Sequence, residues 1–109
     1  MTRYAVAILL ALTMPASAAD PANLILPGCK VFLSATTPME NLSAGHCMGI
    51  VEGMAFMGFT EHVFCTPKEV TSGQALTVVI RYIEARPERM DEDFQKLALE
   101  ALRTTWPCK

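Results

Sequence analysis

The chain has 109 residues, with eleven Asp and Glu against nine Lys and Arg, a formal charge of −2 and 51% hydrophobic residues. This length fits one small domain. The weak acidity argues against a nucleic-acid partner, because proteins that bind nucleic acids carry basic patches. A domain of this size has a thin core, so covalent cross-links are expected to support it.

The first eighteen residues have the three parts of a secretory signal peptide. Arg3 supplies a positive charge, residues 4–14 form an uncharged apolar run, and residues 16–18 give the Ala-Ser-Ala cleavage pattern. The run is too short for a membrane-spanning helix, which needs about 20 apolar residues. We therefore predict a cleaved signal peptide over 1–18 and a single exported domain over 19–109, with no membrane anchor in the mature form.

The first half of the mature chain predicts two helices. The first should start at Asp20, a good N-cap, with Pro21 at the first helical position. Pro27 should kink or delay this helix, because proline lacks a backbone N–H. After a linker over 34–38, the second helix should run from Met39 or Asn41 to Gly58. Its apolar residues recur at helical spacing: Cys47, Ile50, Val51, Met54 and Met57 or Gly58.

Gly45, Gly49 and Gly53 form a stripe without side chains on this second helix. Each costs about 1 kcal/mol of helix propensity relative to Ala. We interpret the stripe as the place where another helix of the same chain approaches closely. The alternative is the seam of a homodimer. The nearby Glu52 and His46 argue against a membrane-embedded use of the stripe.

The second half predicts two further helices and no strand. Thr71 and Gln74 form a Thr-x-x-Gln capping box, so the third helix should run from Ser72 to Glu84 or Ala85. The fourth should start within residues 87–90 and end near Thr105. Four acidic residues gather at its start and would complement the helix dipole: Glu88, Asp91, Glu92 and Asp93. The predicted fold class is all-α, a compact four-helix domain.

Four cysteines, Cys29, Cys47, Cys65 and Cys108, predict two disulfides in an exported chain, with three possible connectivities. We favour Cys29–Cys47 and Cys65–Cys108, which joins sequence neighbours first and leaves no free thiol. Loop closure would then contribute roughly 3 and 4 kcal/mol, respectively. The second bridge should matter more, because it ties the C-terminus to the turn before the third helix. A zinc site is the alternative, but no C-x-x-C pair is present.

No catalytic constellation is found in the sequence. It has no phosphate loop, no H-E-x-x-H and no paired-carboxylate signature. His46 and Cys47 are adjacent, but neighbouring residues on a helix do not face each other. We therefore predict no catalytic residue, no metal ligand and no cofactor. The residues alone indicate an exported helical binding module and not an enzyme.

Four motifs follow one another along the mature chain. They are G-x-C-x-G-x-V-x-G (45–53), F-C-x-P with V-T-x-x-Q (64–74), V-V-I-R-Y-I-E-A-R-P (78–87) and A-L-x-x-x-W-P-C (101–108). In this order they resemble the Rap/Tai family of periplasmic immunity proteins. The resemblance implies a compact helical fold in the periplasm of a Gram-negative bacterium. It also implies that the protein inhibits a peptidoglycan amidase delivered by type VI secretion, by blocking the active-site groove of that toxin.

The expected partner is therefore a secreted amidase effector. We predict that it binds the polar region between the third and fourth helices, since rigid helix ends limit the ordering cost of binding. The carboxylates there could meet a cationic or histidine-bearing cleft. The predicted residues are Arg81, Glu84, Arg86, Glu88, Asp91, Glu92 and Asp93. The alternative function is a periplasmic helper, such as an acid-stress chaperone-like binding protein without a toxin partner.

Overall fold

The computed structural model describes residues 20–34 and 41–109, and α-helices account for most of them. They are α1 (Ala22–Ser34), α2 (Leu42–Glu61), α3 (Ser72–Glu84) and α4 (Phe94–Thr105), with a 3₁₀ turn at Pro87–Arg89. Within these ranges there is no strand, only an isolated bridge between Pro21 and Asp93. The predicted four-helix, all-α class is confirmed. The signal peptide and residues 35–38 of the linker lie outside the described residues.

The core lies between two helix pairs, with α1 packed mainly on α2 and α3 mainly on α4. Both α3 and α4 are amphipathic, so each buries one apolar stripe and leaves a polar face in water. Fully burying one such aliphatic or aromatic side chain contributes about 1.5–3 kcal/mol. The largest fully buried side chains are Phe94, Leu76, Ile83, Leu97, Leu102, Val51 and Val79.

The start of α1 differs from the prediction. The helix begins at Ala22, and its first two N–H groups find acceptors in a distant part of the chain. Ala22 N–H donates to the Glu92 carbonyl at 2.8 Å, and Asn23 N–H donates to the Met90 carbonyl at 2.9 Å. Carbonyls just before α4 therefore satisfy the free N–H groups at the start of α1, where an Asp20 side-chain cap was predicted. No local sequence pattern could reveal these distant acceptors.

The proline in α1 does not delay the helix. The helical residues continue from Ala22 through Pro27 to Ser34. A helical proline lacks the N–H that would donate to the carbonyl four residues earlier, and its ring crowds that carbonyl, yet α1 is unbroken at Pro27. Its neighbour Gly28 is buried against α2, where an added Cβ would lie 2.3 Å from the Ser43 carbonyl oxygen. Gly28 is therefore a true close-approach glycine between two helices.

The glycine stripe of α2 does not serve that purpose. An added Cβ would meet no described atom within 4 Å at Gly45, Gly49 or Gly53. The interpretation of the stripe as an intramolecular packing site is therefore wrong. The reason is the rotation of α2 about its own axis, which buries the face opposite the stripe. That buried face includes Cys47 and Val51.

Both ends of α2 have identifiable stop signals. The Asn41 Oδ1 accepts a hydrogen bond from Ala44 N–H at 3.0 Å, which caps the N-terminus. At the other end His62 adopts a left-handed conformation with φ of 52°, and its N–H donates to the Gly58 carbonyl. The helix thus extends to Glu61, past the predicted end at Gly58. At Gly58 an added Cβ would lie 2.2 Å from the ring of buried Phe64.

The α3 capping box is confirmed in both directions. Gln74 N–H donates to Thr71 Oγ1 at 3.1 Å, and Thr71 N–H donates to Gln74 Oε1 at 2.8 Å. The start of α4 is corrected: a 3₁₀ turn occupies Pro87–Arg89, and the α-helix begins only at Phe94. The acidic residues therefore precede α4, whose first turn contains none.

Both predicted disulfides are present. Cys29 and Cys47 have a Cα–Cα distance of 5.3 Å and are 0% exposed. Cys65 and Cys108 have a Cα–Cα distance of 4.9 Å, and Cys65 is exposed. The second bridge is reinforced by a hydrogen bond from Cys65 N–H to the Trp106 carbonyl at 2.8 Å. One bridge therefore lies in the core and the other at the surface.

The contrast between the two kinds of glycine can be tested by a matched pair of variants. Gly28→Ala should destabilise the domain by about 1–3 kcal/mol, the usual cost of overpacking, because its Cβ meets backbone. Gly49→Ala should stabilise it by up to about 1 kcal/mol through helix propensity. Chemical denaturation measures both. Equal effects of the two substitutions would contradict the packing described for α1 and α2.

The two disulfides should also differ in their reaction with a mild reductant. Exchange requires access to sulfur, so limiting dithiothreitol should open Cys65–Cys108 first. Alkylation followed by peptide mapping should find label on those two cysteines while Cys29–Cys47 stays intact. Loss of the surface bridge should cost about 4 kcal/mol on the loop-closure estimate. Simultaneous labelling of all four cysteines, or an unchanged melting temperature in Cys108→Ser, would contradict this expectation.

Candidate functional site

The candidate site is the segment from Arg81 to Asp93, here called the corner, which joins the end of α3 to the start of α4. All seven residues predicted to bind a partner lie in it. The structure divides them into two groups by exposure. The exposed group, here called the outer corner, is Arg81, Glu84, Glu88 and Asp91, whereas Arg86, Glu92 and Asp93 are partly buried.

Arg89, which is not among the seven predicted residues, holds the corner together. Arg89 Nη1 and Nη2 donate to the two oxygens of Glu100 on α4 at 2.8 and 3.1 Å. The same guanidinium donates to both carboxylate oxygens of Glu92. Bidentate pairs of this kind are among the strongest hydrogen bonds in proteins. We call this network the Arg89 clasp.

The clasp extends to both neighbouring helices. Tyr82 on α3 donates its hydroxyl to Glu100 Oε2 at 3.0 Å. Lys96 on α4 donates to Glu92 Oε1 at 2.9 Å. The spacing of Glu92 and Lys96, four residues apart, was a visible sequence signal for an ion pair. The contact between Arg89 and Glu100 could not be predicted from the sequence, because it depends on how the 3₁₀ turn packs against α4.

The partly buried Arg86 is also engaged within the chain. Its Nη1 donates to the Tyr82 carbonyl at 2.9 Å, and its Cζ lies 3.6 Å from the centre of the Tyr82 ring. This is hydrogen-bonding and cation–π geometry. In the outer corner, Glu84 pairs with Lys30 of α1 at 2.8 Å. Both of those side chains are largely exposed, so that pair adds little stability.

Backbone hydrogen bonds attach the corner to the start of α1. The first two N–H groups of α1 donate to carbonyls of the corner. In the other direction Phe94, the residue directly after the corner, donates its N–H to the Asp20 carbonyl at 2.9 Å. Asp93 precedes α4 without a side-chain cap bond, and its Oδ1 is buried with no hydrogen-bond partner among the described residues. The corner is thus held by backbone on one side and by the Arg89 clasp on the other.

The clasp shifts the pKa values of its members in the directions that its hydrogen bonds dictate. The Arg89 hydrogen bonds lower the pKa of Glu92 to about 2, with a further lowering from Lys96. They also lower the pKa of Glu100. In return, the bond to Glu92 raises the pKa of Lys96. All these groups are therefore ionised at neutral pH.

The outer corner takes no part in the Arg89 clasp. Glu88 and Asp91 are exposed and make no described ion pair. Over residues 20–34 and 41–109, no group of three His, Cys, Asp or Glu residues could hold a metal ion. The outer corner is therefore a surface that displays the carboxylates of Glu84, Glu88 and Asp91.

The clasp predicts an acid-dependent loss of stability. Because the folded-state pKa of Glu92 lies below its ordinary 4.5, its stabilisation is full above that value and is lost as pH falls towards about 2. Glu92→Gln should therefore flatten the fall in unfolding free energy over this range. Urea denaturation at several pH values measures it, with Glu61→Gln, an exposed site outside the clasp, as control. Identical pH profiles for parent and Glu92→Gln would contradict the clasp.

Comparison with known proteins tests the family resemblance. The chain matches the family model of the Rap1a immunity proteins over residues 22–108, from the first residue of α1 to the last disulfide cysteine. No curated protein and no solved structure matches it. None of the described helices is long and apolar enough to cross a membrane. The match covers all four helices and both disulfides, and the chain belongs to the Rap1a immunity protein family.

Proposed function

We propose that this immunity-type protein acts in the periplasm, where it binds and inhibits a peptidoglycan amidase effector delivered by type VI secretion. Family membership supports an immunity role through binding to a cognate toxin. Two features support the compartment: the signal-peptide pattern of residues 1–18 and two disulfides. Disulfides form and persist in oxidising compartments such as the bacterial periplasm.

The observation that favours the corner as the toxin-binding surface is its division of charges. The inner charges, Arg89, Glu92 and Glu100, are satisfied by one another. Glu88 and Asp91 are left facing solvent on a backbone that is hydrogen-bonded to α1. A surface that is ordered before binding loses less conformational entropy when the complex forms.

Inhibition would be steric and electrostatic. The outer corner would enter the active-site groove of the amidase and exclude the peptidoglycan substrate. Its carboxylates would face a cationic or histidine-bearing catalytic cleft. Complementary charges of this kind accelerate association and select the partner more than they increase affinity. No catalytic step by the immunity protein is required.

The corner can be tested against purified amidase effectors of type VI secretion systems, starting with any that is encoded beside the gene of this protein. Glu88→Ala with Asp91→Ala should reduce the association rate by about tenfold at low salt, because steering depends on these carboxylates. Binding kinetics and peptidoglycan hydrolysis would both be measured. A matched control is Glu61→Ala with Glu69→Ala, which removes two exposed carboxylates outside the corner.

The outcomes separate the interface from the function. If the corner variant binds and inhibits like the parent, the corner is not the interface. If the parent inhibits no amidase, the proposed function itself is wrong. In that case, prevention of aggregation of many unfolded proteins at low pH would support the chaperone-like alternative.

A further inference from the structure

A groove with a volume of about 560 Å³, here called the polar groove, opens between the residues after α2, the end of α3 and the second half of α4. Typical small-ligand sites have volumes of about 300–1,000 Å³. None of the four outer-corner residues lines this groove. Most of the side chains that do line it are polar, and they include His62, Tyr82, Glu100, Arg103 and Thr104.

Arg103 brings to the polar groove a positive charge that no described group neutralises. Its side chain is exposed and makes no ion pair among the described residues. The nearest acidic residue along α4 is Glu100, three residues earlier, which is a usual spacing for a helical ion pair. Arg89 and Tyr82 already donate to the carboxylate of Glu100. The described fold therefore leaves the guanidinium of Arg103 without an internal anion.

His62 is held in a strained backbone conformation beside the same groove. Over residues 20–34 and 41–109 it is the one residue other than glycine with a positive φ, of 52°. Glycine is the usual residue at a left-handed helix end, because a Cβ is strained there. The imidazole of His62 is exposed and lines the polar groove. Strained residues concentrate at functional sites, so the conformation of His62 points to a use for its side chain.

The rest of the lining suits a peptide better than a simple anion. Glu100 Oε1 accepts one described hydrogen bond, from Arg89, although a carboxylate oxygen has two lone pairs. It can therefore also accept an N–H from a ligand. Val63 and Pro107 add apolar surface to the groove. A ligand with an anionic group, N–H donors and small apolar parts matches this lining, whereas phosphate offers only oxygens and negative charge.

We propose that the polar groove binds a peptide that carries a free carboxylate. Arg103 would hold the carboxylate, because a planar guanidinium can donate to both oxygens of such a group. An imidazole N–H of His62 would donate to the same carboxylate, and Glu100 would accept a backbone N–H of the peptide. This site is independent of the proposed inhibition of an amidase, because the outer-corner residues do not line the groove.

Amide NMR of the isotope-labelled mature protein, titrated with the tripeptide Ala-Glu-Ala, tests the proposal. A Kd on the order of 1 mM is expected for a few exposed hydrogen bonds, with shifts at His62, Arg103 and Thr104. Arg103→Gln should weaken binding about tenfold, the loss expected for one charge-assisted pair. Lys68→Gln, which removes an exposed charge outside the groove, should bind like the parent. The amide of Ala-Gln-Ala, which has no carboxylate, should not bind.

A second variant, His62→Gly, separates binding from folding. Glycine adopts the left-handed conformation without strain, so this variant should melt at the parent's temperature or above it. Its affinity for Ala-Glu-Ala should nevertheless fall about threefold, the loss expected for one hydrogen bond. No shifts with Ala-Glu-Ala, equal losses in Arg103→Gln and Lys68→Gln, or full affinity in His62→Gly would each overturn the proposal. Binding of the amide peptide, or displacement of Ala-Glu-Ala by an equal concentration of inorganic phosphate, would overturn it as well.

Discussion

The contact between Gly28 and the Ser43 backbone is the constraint on which the arrangement of α1 and α2 depends. The two helices approach so closely there that even a Cβ on Gly28 would overlap the Ser43 carbonyl. The adjacent Cys29–Cys47 disulfide fixes the same crossing covalently inside the core. Together they determine the rotation of α2 about its axis. One apolar face turns inward, and the glycine stripe turns away from the rest of the domain.

The corner combines charges that stabilise the fold with charges that stay exposed. Arg89 concentrates its hydrogen bonds on Glu92 and Glu100, which joins the 3₁₀ turn to α4. The segment that follows this turn supplies the Met90 and Glu92 carbonyls that begin α1. These inner groups satisfy one another. The exposed carboxylates of Glu88 and Asp91 take no part in that network. The charges proposed for toxin recognition are therefore not the charges that stabilise the fold.

The sequence alone determined the features that depend on local chemistry. The capping box of Thr71 and Gln74 follows from four residues, and the apolar spacing of α3 and α4 follows from helical periodicity. The cysteine number predicted two bridges, and the preferred pairing was confirmed. The ordered motifs predicted the family, which the family model confirmed over residues 22–108.

Tertiary structure decided what depends on distant partners. Glycines at 45, 49 and 53 have the spacing of a packing stripe, but in the fold no described atom lies close to them. The glycines that neighbouring atoms do crowd are Gly28, against the Ser43 backbone, and Gly58, against the Phe64 ring. The acceptors that start α1 lie about seventy positions away, in the carbonyls of Met90 and Glu92. The corner residues are contiguous in sequence. Only the fold shows which of their charges are satisfied within the chain, because Arg89 meets Glu100 only when the turn packs against α4. Local patterns carry no information about such contacts, because the energy comes from groups that only the folded chain brings together.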